Sequence, residues 1–221
     1  MEQQEGQSMT MSWRLASRLS VISLALLVVL VVAFFSLRNG TGGATTPNPT
    51  TSASNLQGTN LGGTPAPDFL LKDQFGNSIS LAQFKGKPVV LTFLYTHCPD
   101  VCPLTAEKIH TAVQSLGSNA QRIAVLAVSM DPKGDTAATA QNFANTHKLG
   151  NYFYYLIGTH KELAPVWTSY SVDAQAATSS GVVNHSSAIY VIDKQGNERA
   201  LFDNGFSSGQ LASDLKILLR E

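Results

Sequence analysis

The chain contains two cysteines, Cys98 and Cys102, separated by three residues in THCPDVCP (96–103), and each is followed by a proline. Two thiols that close together admit three chemistries: a disulfide, a reversible redox pair, or two ligands to one metal ion. Two cysteines alone cannot build a disulfide framework or a closed four-thiolate zinc site. Thiolates are soft ligands suited to Cu(I). Oxidoreductases of the thioredoxin type use C-x-x-C. The extra residue here still permits a disulfide if the Cα atoms come within about 7 Å, and it also lets both sulfurs face one ion.

A third ligand would come from the five histidines: His97, His110, His147, His160 and His185. His97 adjoins Cys98, and its side chain points away if the preceding strand runs through it. His110 falls on an expected helix, and His147 and His160 lie near helix ends; all four read as ordinary surface histidines. His185 differs. It stands in VVNHSSAIYVID, just before a strand and after the small-residue segment AATSSG, where the chain is free to bring it toward the cysteine pair.

The elements around these residues follow from pattern. PVVLTFLY (88–95) is a continuous apolar run, the mark of a strand buried on both faces, and it leads directly into the cysteine loop. Pro103 suits the beginning of a helix, so a helix is predicted to start near it and run through 104–116. Both sulfurs then lie at its positive end, where thiolate is favoured over thiol. Further strands are predicted over 122–130, 152–157 and 187–193, the last forming a hairpin with ERALF through the turn KQGN. APDFLLKDQFGNSISL reads as two short strands around Gly76-Asn77. Helices are predicted over 135–147, with Asp135 as N-cap, over 160–169 and over 207–220. Trp167 and the YFYY aromatics read as core. The order implies an α/β domain with a central mixed sheet flanked by helices, and with cysteines at the strand-to-helix junction it resembles the thioredoxin fold.

Residues 19–37, LSVISLALLVVLVVAFFSL, are uncharged and flanked by Arg18 and Arg38. As a helix they would span roughly 28 Å, enough for a hydrocarbon core. The run is longer than a signal peptide's apolar region and ends without a small-x-small site, so an uncleaved transmembrane helix is expected. No cysteine stands near it to carry a lipid. Arg14 and Arg18 put residues 1–18 in the cytoplasm and the bulk of the chain outside, with Trp13 at the interface. Glu2 and Glu5 argue against a mitochondrial presequence and for a bacterial membrane. Residues 38–63, rich in Gly, Thr, Asn, Ser and Pro, read as a flexible linker, leaving 64–221 as the folded domain. The formal net charge of zero gives no case for nucleic acid.

YTHCPDVCP, then VSMDPKGDT (128–136), then NHSSAIYVID (184–193) together resemble the Sco (SenC) family over residues 64 to about 220. The resemblance implies a thioredoxin-like, membrane-anchored copper protein that assists assembly of the CuA centre of cytochrome c oxidase. Its partners would be oxidase subunit II and an extracytoplasmic copper donor. It implies Cys98, Cys102 and His185 as ligands to Cu(I) or Cu(II), with Asp131 of the Asp-Pro motif near the site and Asp100 inside the loop. Asn184 and Ala137 depart from the family pattern, which often has an acidic residue and a proline there. Two other readings stand beside copper delivery. The same pair could act as a thiol–disulfide oxidoreductase on a partner's cysteines without carrying copper. A purely structural disulfide would gain little, because so short a loop removes little chain entropy.

Overall fold

The computed structural model describes residues 26–34, 56–172 and 188–221. The chain divides into two units, 1–53 and 54–221. In the first, the described residues 26–34 form helix α1, with Leu26, Leu27, Leu30 and Phe34 all more than half exposed. The rest of the expected anchor 19–37 lies outside the described residues. Among the described residues no helix is long and apolar enough to cross a membrane.

The second unit is built on a six-stranded sheet in the order β1-β8-β7-β4-β5-β6. Strands β4 (Val89–Leu94), β5 (Ala124–Ser129) and β6 (Phe153–Leu156) run parallel, while β7 (Ile189–Ile192), β8 (Asn197–Phe202) and β1 (Thr59–Pro65) complete the sheet antiparallel. Every residue of β4, β5 and β7 is buried, as continuous apolar runs demand of strands covered on both faces. Helices α2 (Val101–Gln114), α3 (Ala137–Thr146), α4 (His160–Ser169) and α5 (Ser208–Arg220) supply the cover. Helix α5 turns Leu211, Leu215, Leu218 and Leu219 inward and packs beside α2.

A small hairpin, β2 (Leu70–Lys72) with β3 (Ser78–Ser80), joins the sheet through a bridge between Lys72 and Ile157. Its turn, DQFGN, and the turn between β7 and β8, DKQGN, share one construction. In each the aspartate Oδ1 accepts two turn amides, Phe75 and Asn77 for Asp73, Gln195 and Asn197 for Asp193. Gly76 and Gly196 take the positive φ values of 86° and 90° that glycine adopts without steric cost.

Three sequence expectations are corrected. Residues 59–63, assigned to the linker, belong to β1. TNLGGTP lacks the alternation that marks a strand: it is an edge strand held by main-chain pairing with β8, and its register shifts between Asn60 and Thr64, where Gly62 and Gly63 have positive φ. A side chain at Gly58 would strike Ala200 and Phe202, so the approach to β8 needs glycine. The buried Asp214 of α5 accepts the amides of Gln57 (2.7 Å) and Gly58 (3.2 Å), tying the approach to β1 to that helix. Second, α2 starts at Val101 rather than near Pro103. Proline in the third helical position is tolerated because the amide it lacks would have no intrahelical partner. Third, α3 starts at Ala137, capped by Thr136 in a reciprocal box with Thr139. Asp135 is not its cap; it turns inward.

Candidate metal centre

The cysteine loop begins where β4 ends. Tyr95 is buried, and its carbonyl accepts the Cys98 amide (3.2 Å), closing a turn over Thr96 and His97. Strand alternation therefore stops before His97. Cys98 and Cys102 are both free and both buried, Cys102 completely. Cys102 is the second residue of α2, and its amide, one of the helix's orphan donors, points at Cys98 Sγ (3.4 Å).

This geometry splits the pair. The Cys98 thiol is pulled from 9.0 down to about 5, chiefly by the hydrogen bond from the Cys102 side chain. Burial opposes the shift, and the amides of Asp100 and Cys102 and the Tyr95 side chain reinforce it. Cys102 is pushed up well beyond the ordinary thiol range, first by donating that hydrogen bond and then by burial. At neutral pH the site is one thiolate and one thiol, with the thiolate at a helix N-terminus.

Asp100, expected to tune the loop, occupies the N-cap position of α2, is exposed and makes no side-chain cap bond. Asp131, which the Asp-Pro motif implied near the site, binds the turn that follows it. Its Oδ1 accepts the amides of Lys133 (3.2 Å) and Gly134 (3.0 Å), and it shares with His97 and Asp135 a group whose ligand atoms lie within 4.8 Å of one another. Ala137, one departure from the family pattern, is the first residue of α3, a position that accepts alanine as readily as proline.

Gly134 is required by contact. A Cβ there would collide with Asp131 Oδ2 and lie 3.0 Å from its Cγ. Gly134→Ala is therefore expected to displace the Asp131 carboxylate from its two amides and to lower the melting temperature by about 2–4 °C per kcal/mol lost, with a loss of about 1–2 kcal/mol. Differential scanning calorimetry of the two proteins checks it, and an unchanged melting temperature contradicts the contact.

The residue that pattern reading missed is Asp135. The residue is 6% exposed. Oδ1 accepts from the Thr96 amide (2.8 Å) and hydroxyl (2.7 Å); Oδ2 accepts from Ser129 Oγ (2.6 Å) and Tyr155 Oη (2.9 Å). Trp167 extends the network, its indole N–H donating to the Ser129 carbonyl (3.0 Å). The signal for Asp135 was only its place in VSMDPKGDT, and local pattern offered the cheaper reading of a helix cap.

The other histidines separate from the pair. His97 is exposed, with Nδ1 3.1 Å from Thr96 Oγ1. His110 Nδ1 meets Tyr152 Oη at 3.0 Å. His147 packs tilted against Phe143 with centroids 4.5 Å apart, and burial lowers its pKa. His160 sits edge-on to Trp167. His185 and Asn184 lie outside the described residues. The structure does place the end of that segment: Ile189 pairs with Thr92 of β4 and borders the same narrow crevice as Cys102 and Asn204.

Fold and site define a thioredoxin-like domain with a dithiol at the strand-to-helix junction. A family model described as SCO1/SenC matches residues 58–220, and the chain belongs to that family. It is 33% identical over 157 residues to the bovine (Bos taurus) mitochondrial SCO2 homologue, covering 67% of this chain and 56% of that protein. It is 30% identical over 134 residues to an SCO2-like protein of Rickettsia prowazekii, covering 58% and 64%. The chain thus spans less than two thirds of the length of these curated relatives. Among solved structures it resembles copper-bound ScoI of Bradyrhizobium japonicum (TM-score 0.63, 33% identity, 71% of this chain and 100% of that one). It also resembles apo Sco1 of Thermus thermophilus (TM-score 0.65, 30% identity, 74% and 97%).

Proposed function

We propose that this protein binds copper through Cys98, Cys102 and His185, and delivers it to, or prepares the thiols of, the CuA site of cytochrome c oxidase during assembly. The observation that carries the reading is the placement of Cys102 and Ile189 together at the end of β4. Cys102 and Ile189 share a crevice, and His185 precedes Ile189 by four residues, a span of at most about 14 Å of extended chain. An imidazole within that tether can add a nitrogen to two sulfurs, a set that accepts Cu(I) and Cu(II) alike. Copper in the related Bradyrhizobium structure supports the choice of metal, and family membership supports the oxidase as destination. With three ligands the ion stays open to attack by a partner's ligands, which handover requires. Residues 19–37 would anchor the protein in a bacterial membrane with the domain outside. That reading rests on their uncharged length and arginine flanks.

Electron paramagnetic resonance of the Cu(II)-loaded full-length protein tests the ligand set. Wild type is expected to show sulfur-rich coordination with one nitrogen, and His185→Ala to lose that nitrogen. An unchanged nitrogen signal in the variant removes His185 from the site.

The thiol–disulfide reading has its own support in the split pair, since a thiolate at Cys98 beside a protonated Cys102 suits attack on a partner disulfide. His185→Ala separates the two. It weakens copper binding under the first reading and leaves dithiol exchange intact under the second.

A further inference from the structure

We infer that Asp135 is a positioning residue for the copper site: it pins the hinge of the cysteine loop and supplies a buried negative charge that favours Cu(II) over Cu(I). The inference rests on the reading of Cys98 and Cys102 as copper ligands.

The geometry carries both halves. Thr96 stands between the last residue of β4 and Cys98, and Asp135 takes both of its donors, amide and hydroxyl, on one oxygen. The other oxygen takes Ser129, at the end of β5, and Tyr155, in β6. One carboxylate thus ties the cysteine loop to the ends of three parallel strands, and β4 and β5 meet there in register, Leu94 opposite Ser129.

The four donors also define the charge. A carboxylate offers about four lone-pair sites when ionised, and a carboxylic acid must place a donor of its own. Here every site is taken by a donor, so the ionised form is the one that fits. All four donors are neutral groups, and the titratable neighbours include His97 and the Asp131 carboxylate, whose ligand atoms lie within 4.8 Å of its own. With Asp135 only 6% exposed, water screens its carboxylate poorly. Its Oδ1 holds the amide and hydroxyl of Thr96, two residues before Cys98, so the charge stands beside the cysteine loop. An ion bound at the sulfurs feels the same field, and the doubly charged ion gains more from it than the singly charged one.

Removing the charge and removing one donor act in opposite directions. Asp135→Asn deletes the anion. Tyr155→Phe keeps it and withdraws one hydrogen bond that disperses it, which strengthens the field outside the cage. Simple loosening of the loop would push both variants the same way.

The test is competitive titration of the full-length protein with Cu(I) and, separately, Cu(II), each against a chelator of known affinity. Asp135→Asn is expected to shift the ratio of Cu(II) to Cu(I) affinity about tenfold toward Cu(I), a rise of about 59 mV in midpoint potential. Tyr155→Phe is expected to shift it about twofold the other way. An Asp135→Asn ratio within twofold of wild type overturns the inference, as does a shift of both variants in one direction. Should Asp135→Asn fail to fold, Tyr155→Phe decides alone, and no shift or a shift toward Cu(I) overturns the role. Wild type that takes up no copper overturns the proposed function and this inference together. Wild type that binds copper with ratios unmoved in the folded variants overturns this inference only.

Discussion

Full-length protein in which Cys98 and Cys102 are both replaced by serine is expected to bind Cu(I) at least about a thousandfold more weakly than wild type. Serine keeps the size and the hydrogen-bonding capacity of the position but replaces a soft, ionisable sulfur with a hard hydroxyl. Cu(I) selects thiolate over oxygen donors, so the change removes the affinity without emptying the core. The fold should hold, because strands β4 and β5 and the buried face of α2 keep their apolar contacts. The measurement is anaerobic titration of the reduced protein against a Cu(I) chelator, with circular dichroism as the control on folding. A one-to-one complex of wild-type affinity in the folded double variant sinks the copper reading at these sulfurs.

The second large effect concerns which sulfur is reactive and at what pH. Cys98 holds a thiolate at about pH 5 mainly because Cys102 donates to it. Replacing Cys102 with alanine removes that donor and keeps the backbone amides. The alkylation rate of wild type by iodoacetamide is expected to reach half its plateau near pH 5, with Cys98 as the labelled residue. Cys102, buried and protonated, stays unlabelled at pH 7. In Cys102→Ala the half-plateau pH is expected to rise by at least about 2 units, back toward the ordinary thiol range. Midpoint rather than rate at one pH is the proper readout, because a less acidic thiol is also a stronger nucleophile once ionised. The pair has a sign for stability: the depressed Cys98 pKa adds stability that is lost as pH falls from 9.0 toward 5, and the raised Cys102 pKa, from the same hydrogen bond, withdraws it as pH rises above 9.0. Mass spectrometry of the labelled peptides decides the matter: equal labelling of both cysteines, or an unmoved midpoint in Cys102→Ala, contradicts the hydrogen-bonded pair.

Much of this molecule is legible along the chain. The runs VVLTFL and AVLAVS fit strands buried on both faces, a placement that hides six consecutive, mostly apolar side chains. Two cysteines three residues apart, just after such a strand and beside a proline suited to a helix's first turn, locate the chemistry without coordinates. These features are local: periodicity, helix-starting residues and ligand spacing act within a few residues of one another.

Long-range pairing had to decide the rest. TNLGGTP becomes a strand only because β8 offers it an open edge and Asp214, some 156 residues on, accepts its neighbouring amides. The same aspartate type that caps helices elsewhere is, at position 135, drawn inward by Thr96, Ser129 and Tyr155 from three separate strand ends. The unequal acidity of Cys98 and Cys102 depends on the direction of one amide and one S–H, set by where α2 begins. The first two are interactions between residues brought together by the sheet, and no pattern in either partner's own neighbourhood announces them; the third is local in sequence, but its direction is set only by the fold of the loop.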